Sequence, residues 1–317
     1  MVTDLHCHYF PAAALRGVVP SIEVTANAEG YRFASAALAM QLDAGLLDLD
    51  MQRADMARQG VSRRAICTPP FTFQYELPVA EGVAWSRAIN DGLASAIAEH
   101  PDAFVGFATV PLQDVSAAVV ELERALDALG FRGVEIASNL NGVELDDASL
   151  EPFWELAAAR RIPILIHPHY IAGPDRMGSY YFRNLIGNPV ETALAGARLL
   201  FGGVLERLPR LRIAFAHGGG SFPGTIGRTT SHEVGHMWFY GLVHSHQGRD
   251  PWLDEGLATW ADARFEGRLE RYKARIISPV AKNLVGEPMS FWSDKGRVDT
   301  DGVYVQGAQA LAALGDD

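Results

Sequence analysis

Ile162-Pro163-Ile164-Leu165-Ile166-His167 (residues 162–167) is a short aliphatic run that ends on a histidine and follows a helical pattern over 150–160. It reads as a buried strand at about 163–166 (PILI), with His167 directly after it. Five more runs have the same character, at about 2–5, 62–67 (SRRAIC), 104–109 (FVGFAT), 132–136 (RGVEI) and 212–216 (RIAFA). Between them lie helical stretches at 84–99, 114–129 and 190–207, several opened by Asp, Ser or Pro. Strands alternating with helices predict a parallel sheet, and right-handed crossovers curl such a sheet toward a (β/α) barrel. A complete barrel needs eight strands. The sequence offers six, so the expected fold class is α/β, an incomplete (β/α) barrel of about six parallel strands.

Near Gly227-Arg228-Thr229 the pattern changes abruptly, with no linker of Pro, Gly or Ser. Four of the six tryptophans (Trp238, Trp252, Trp260, Trp292) fall beyond this point, and no strand pattern follows. Helices are predicted at about 230–244, 252–265, 266–278 and 303–314. The expected organisation is therefore a partial barrel over 1–228 and an all-helical segment over 229–317.

Charged residues make up 21% of the 317 and the net charge is −11, which argues against a nucleic-acid surface built from clustered Lys and Arg. Cys7 and Cys67 are the two cysteines, too few for a disulfide framework or a thiolate zinc site, and a reduced, cytoplasmic setting is expected. The opening MVTDLHCHYFP lacks the basic and apolar regions of a signal peptide. No apolar run reaches the roughly 18 residues of a membrane span, so no membrane partner is expected.

His6 and His8 stand two apart on the opening strand and so project to one side of it. His167 directly follows one strand and His217 another. Three strands thus deliver four imidazoles to the rim where barrel enzymes keep their chemistry. Convergent neutral imidazoles predict a divalent metal site. His169, of opposite parity, reads as structural, and His100 as a helix-closing residue facing the helix dipole.

The blocks DLHCHYFP (4–11), GFATVPLQD (106–114), IPILIHPHY (162–170), GPDRM (173–177), GNPVETALA (187–195) and LLFGGVLERLPRLRIAFAHGGGSFPGTIGR (199–228) together resemble the aminocarboxymuconate-semialdehyde decarboxylase branch of the amidohydrolase superfamily. That resemblance implies a (β/α)₈ barrel around one divalent metal, usually zinc. It implies His6, His8 and His167 as ligands and His217 as the residue that activates water there. Arg228 falls where the family grips a substrate carboxylate from a neighbouring subunit, which implies a homodimer. The family's last ligand is an aspartate at the end of the eighth strand. The nearest match here is Asp294 in Trp292-Ser293-Asp294-Lys295, with no strand before it, and Arg53 stands one position off the family's arginine near the second strand.

A second constellation follows. His232-Glu233-Val234-Gly235-His236 is an HExxH run, whose histidines share one helix face and can share a zinc ion, with Glu233 as general base. Eighteen residues separate Glu255 from His236. HEVGHMWFYGLV (232–243), DPWLDEGLATWA (250–261) and GVYVQGAQALAALG (302–315) resemble the gluzincin aminopeptidases of the aminopeptidase N family. That resemblance implies His232, His236 and Glu255 as zinc ligands and Tyr304 as the stabiliser of an oxyanion. The strand that aligns substrate upstream of HExxH in that family has no counterpart here. Three functions are therefore expected alternatives: a metal-dependent decarboxylase or hydrolase of a small carboxylated substrate carrying a fused peptidase fragment; a zinc aminopeptidase acting on peptides; or a chimera that at most binds zinc.

Overall fold

The computed structural model describes residues 2–222, 249–265, 267–293 and 300–314. The chain forms two compact units, Met1–Phe222 and Pro223–Asp317. In chain order the first contains β1 (Thr3–His8), β2 (Glu23–Asn27), β3 (Gly30–Ala34), β4 (Ala39–Gln41), α1 (Leu49–Gln59), β5 (Arg63–Cys67), α2 (Val79–Ala98) and β6 (Phe104–Ala108). It continues through α3 (Val115–Asp127), β7 (Gly133–Ala137), α4 (Glu151–Arg160), β8 (Pro163–His167), α5 (Asn188–Phe201), α6 (Val204–Arg207) and β9 (Arg212–Phe215).

Six of these strands form one sheet in the order β1-β5-β6-β7-β8-β9, parallel throughout. They are the six runs read from the sequence, and the incomplete barrel is as expected. Successive residues of a strand face opposite sides, and the packing divides accordingly. Ile66, Val134, Ile136, Ile164 and Ile166 pack outward against Trp85, Ile89, Leu93, Leu122, Phe153 and Trp154 from the helices. The alternate residues Ala65, Cys67, Phe107, Leu165 and Ala216 form a smaller inner core. Glu135 and His167 share this inner parity.

The outer layer carries most of the apolar burial, with Phe153 and Trp154 at 0% exposure. Removing a fully buried aromatic forfeits its transfer free energy and leaves a cavity. Phe153→Ala is expected to lower the free energy of unfolding by about 3–5 kcal/mol. Urea denaturation measures this, and a loss near zero would contradict the packing described.

Two elements were not legible in the sequence. β2, β3 and β4 form a separate antiparallel sheet, with Val24 paired opposite Phe33. Those are the only buried residues of its three strands, so alternation is diluted by exposed Ala, Asn and Thr. α1 buries little but is well delimited. Asp48 accepts from the Asp50 and Met51 amides at its start, and Gly60 ends it at φ 68°.

The second unit holds α7 (Pro251–Phe265), α8 (Leu269–Lys273), α9 (Met289–Trp292), a π-helical turn Thr300–Val305 and α10 (Gln306–Leu314). Here α7 matches the predicted 252–265, whereas the predicted 266–278 is reduced to five helical residues. Gly267, at φ 67°, separates α8 from α7. The β-branched pair Ile276-Ile277 and Pro279 disfavour its continuation. The predicted 303–314 is helical but begins as the π-helical turn, and 230–244 lies outside the described residues. Ala281, Trp292 and Val303 form the buried centre, flanked by Trp252, Ile277, Met289 and Tyr304. Among the described residues no helix is long and apolar enough to cross a membrane.

Candidate metal centre

Strand parity places His6 and His8 on the inner side of β1, where their Nε2 atoms stand 3.0 Å apart. His167 closes β8, and its ring centroid lies 5.1 Å from that of His6 and 5.2 Å from that of His8. His217 follows β9, 5.1 Å from His6 and 4.8 Å from His167. β1 and β9 are opposite edges of the sheet, five strand spacings apart. In a flat sheet that separation would be roughly 24 Å at about 4.8 Å per spacing. The sheet therefore curls, and its two edges meet through histidines.

The backbone after β9 is built for this approach. His217 is left-handed at φ 54°, and Gly218, Gly219 and Gly220 also have positive φ. A non-glycine residue in that region costs about 1–2 kcal/mol, held here by the surrounding turn. At Gly220 the restriction is steric as well, because a Cβ would stand 2.7 Å from the Pro189 carbonyl oxygen. Gly220→Ala is expected to cost about 1–3 kcal/mol of stability. Thermal and urea unfolding would show it, and unchanged stability would refute this account of the turn.

All four rings are shifted toward the neutral form. Burial pushes His8 down to about 3, with the neighbouring His6 adding to the effect. His167 is pushed to about 2 by burial and then by His8, His6 and His217. His6 is lowered by burial and His217, against the opposing pull of Asp4, and His217 is lowered by burial. The His167 Nδ1 lies 3.0 Å from the Pro168 carbonyl oxygen. A carbonyl only accepts, so Nδ1 carries the hydrogen and the Nε2 lone pair is free for a ligand.

These features fit a divalent ion. Two nitrogens each about 2.1 Å from one ion and roughly at right angles would stand about 3.0 Å apart, the spacing found for His6 and His8. Among the described residues, His6, His167 and His217 each offer a ligand atom within 4.8 Å of the others, and so do His6, His8 and Glu135.

Sequence reasoning missed the groups that hold this arrangement. Gln52 donates to the His8 carbonyl oxygen at 2.9 Å and to that of Gly45 at 3.0 Å, and accepts from the Cys7 thiol. Arg64, buried, pairs with Asp4 at 3.0 Å and Asp55 at 3.5 Å, while Asp4 accepts from the His6 amide at 3.1 Å. Glu135, in the middle of β7, is fully buried, and burial pushes its carboxyl well above the usual range. An acid inside the apolar run GVEIA was the available signal. A cleft of about 480 Å³ runs beside His6 and His8, walled by Met51, Gln52, Arg58 and Arg64.

The remaining candidates are placed differently. Arg228, His232, Glu233, His236 and Asp294 lie outside the described residues. Glu255 sits half-buried on α7, and Tyr304 packs on the Trp292 cluster, both in the second unit. His169 is structural: its amide donates to Ser138 Oγ at 3.0 Å and its ring meets Phe73 edge-on. His100 pairs with Asp50 at 3.3 Å instead of serving the helix end alone, and Arg53 also pairs with Asp50.

The model of the Amidohydrolase family matches residues 3–274. A 2-amino-3-carboxymuconate-6-semialdehyde decarboxylase of Dictyostelium discoideum is 38% identical over 225 residues, covering 65% of this chain and 63% of that protein. This chain thus spans less than two thirds of the length of the curated relatives it matches. Among solved structures, the 5-carboxyvanillate decarboxylase of Novosphingobium aromaticivorans, complexed with manganese and 4-hydroxy-3-methoxy-5-nitrobenzoic acid, is 28% identical with a TM-score of 0.54. It covers 61% of this chain and 56% of its own. The Metarhizium anisopliae IDCase in apo form is similar in fold over 99% of this chain and 95% of its own, with a TM-score of 0.64 and 21% identity.

Proposed function

The chain belongs to the amidohydrolase family, and from that membership we propose that it is a metal-dependent decarboxylase of a small carboxylated aromatic or muconate-like acid. The observation that carries this reading is the convergence of four neutral imidazoles from both edges of one curled sheet. The names of its relatives favour decarboxylation over hydrolysis.

His6, His8 and His167 would hold the ion. Imidazoles suit zinc, and the manganese of the Novosphingobium relative makes that ion the second candidate. When bound, the ion would supply positive charge that orients an anionic substrate and draws electron density from it. His217 is assigned to proton transfer. Loss of CO₂ breaks a carbon–carbon bond and leaves its electron pair on the substrate carbon, which must gain a proton. A neutral imidazole can take a proton from water and deliver one to that carbon. Gln52 and Arg64 fix β1 so that its two histidines keep their spacing. Arg228 is proposed to grip the substrate carboxylate from a second subunit of a homodimer, since guanidinium pairs with carboxylate through two hydrogen bonds. The resemblance alone would make Asp294 the carboxylate ligand.

The family match runs on to residue 274, across the HExxH run and Glu255. We therefore assign His232, Glu233, His236, Glu255 and Tyr304 no peptidase role and treat 1–228 and 229–317 as parts of one amidohydrolase chain. Metal-stripped protein reconstituted with Zn²⁺ or Mn²⁺ should release CO₂ from 2-amino-3-carboxymuconate-6-semialdehyde or 5-carboxyvanillate. Absence of CO₂ from both acids with either metal, alongside hydrolysis of an aminoacyl anilide, would sink the proposal.

A further inference from the structure

Glu135 is the one acid on the inner face of β7, in the strand Gly133-Val134-Glu135-Ile136-Ala137. Its neighbours Val134 and Ile136 face the outer core, so parity turns its carboxylate inward, onto the side that carries His6, His8 and His167. The residue is 0% exposed, and neither carboxylate oxygen has a hydrogen-bond partner of ordinary geometry. Among the described residues only the Cys67 thiol, a weak donor that also lies 3.3 Å from the Cys7 carbonyl oxygen, interacts as a donor with this carboxyl. A carboxyl group buried with no more than a weak thiol donor is costly for a core to hold in either charge state, and a cation that reaches it relieves that cost. Nearby groups that could accept such a cation are already assembled, since one ligand atom each from His6, His8 and Glu135 lies within 4.8 Å of the others.

We propose that Glu135 is a ligand of the same divalent cation as His6 and His8, supplying from the fourth strand of the sheet the carboxylate that the resemblance expected from Asp294. This rests on the reading that the histidine cluster holds a divalent ion. It departs from the ligand set carried over from the family, in which the acid comes from the end of the barrel. Several consequences are chemical. With His167, three imidazoles and one carboxylate are a donor set that zinc, manganese and iron(II) share, so the site accepts more than one metal. One anionic ligand also leaves the loaded site with a net positive charge, which favours a carboxylate substrate. The poorly satisfied oxygens then gain a strong partner only in the loaded protein, which couples metal binding to stability.

The test uses the whole chain stripped of metal, with Mn²⁺ titrated by electron paramagnetic resonance and Co²⁺ by its visible absorption. Glu135→Gln keeps the side-chain shape and Glu135→Met fills the same space without an oxygen. Both are expected to bind Mn²⁺ about 100-fold more weakly, at or beyond the upper end of what loss of a mere supporting residue does. Both should alter the Co²⁺ spectrum, while metal-free Glu135→Met melts at or above the wild-type temperature because a poorly satisfied polar group has been removed. Wild-type affinity and an unchanged Co²⁺ spectrum in Glu135→Gln, with binding lost in His6→Ala, would overturn the proposal and leave the histidine site standing. Wild-type affinity in His6→Ala would instead overturn the histidine reading and this one with it. Failure of both Glu135 variants to fold without metal would show that the apo core needs the carboxylate, and would also overturn it.

Discussion

His167→Ala is expected to lose its metal and its turnover together. The side chain is buried at the end of β8, its Nδ1 hydrogen is committed to Pro168, and its Nε2 is left for a ligand. The adjacent residues cannot replace it, because Pro168 has no ligand atom in its side chain and His169 is turned away toward Ser138 and Phe73. Supporting residues of metal sites already cost about 10- to 100-fold in affinity when removed, so a ligand should cost at least about 100-fold. Decarboxylation should fall by about 1,000-fold or more, since electrostatic stabilisation at the reacting centre is commonly the largest catalytic contribution. Metal content by mass spectrometry and CO₂ release would measure both. The cavity left at position 167 is small enough that circular dichroism should still report a folded chain. A variant that keeps one equivalent of tightly bound metal would remove His167 from the ligand set.

His217→Ala separates ligation from proton transfer. As the proton-transfer residue, its loss should reduce turnover by about 100- to 10,000-fold while metal affinity changes little. The geometry makes this a sharp discrimination, because His217 also lies within ligand distance of His6 and His167. Its ring differs from theirs in exposure and in backbone, being carried on a left-handed residue ahead of three glycines. Single-turnover CO₂ release should slow without a matching rise in the metal concentration needed for activity. Loss of the ion in this variant would transfer His217 to the ligands and require another proton donor.

The C-terminal part illustrates how a short motif can outrun its context. HExxH spacing is a property of any helix, so it carries the same local meaning in any fold. The family match across it, to residue 274, concerns a longer stretch and so weighs more. In the second unit, Tyr304 and Trp252 both pack on the Ala281, Trp292 and Val303 cluster, and the helices α7 and α10 meet at Gly256 and Gly307. That approach requires both positions to lack a side chain, a packing constraint the motif reading did not use.

The run Ile162–His167 and its five counterparts determined the six strands and placed a histidine at the end of three of them. Period-two alternation and aliphatic burial are local properties, and each strand states them independently of the others. Local pattern was silent where little is buried, as in β2 to β4 and α1. It was also silent on Glu135, whose meaning depends on which strand faces it. Only the tertiary structure decided that β1 and β9, at opposite edges of the sheet, bring His6 and His217 within 5.1 Å. Curl is the accumulated twist and register of six strands, with the close packing of glycines such as Gly220 against α5. No single segment encodes that sum, and so the sequence names the four imidazoles while the fold alone makes them one site.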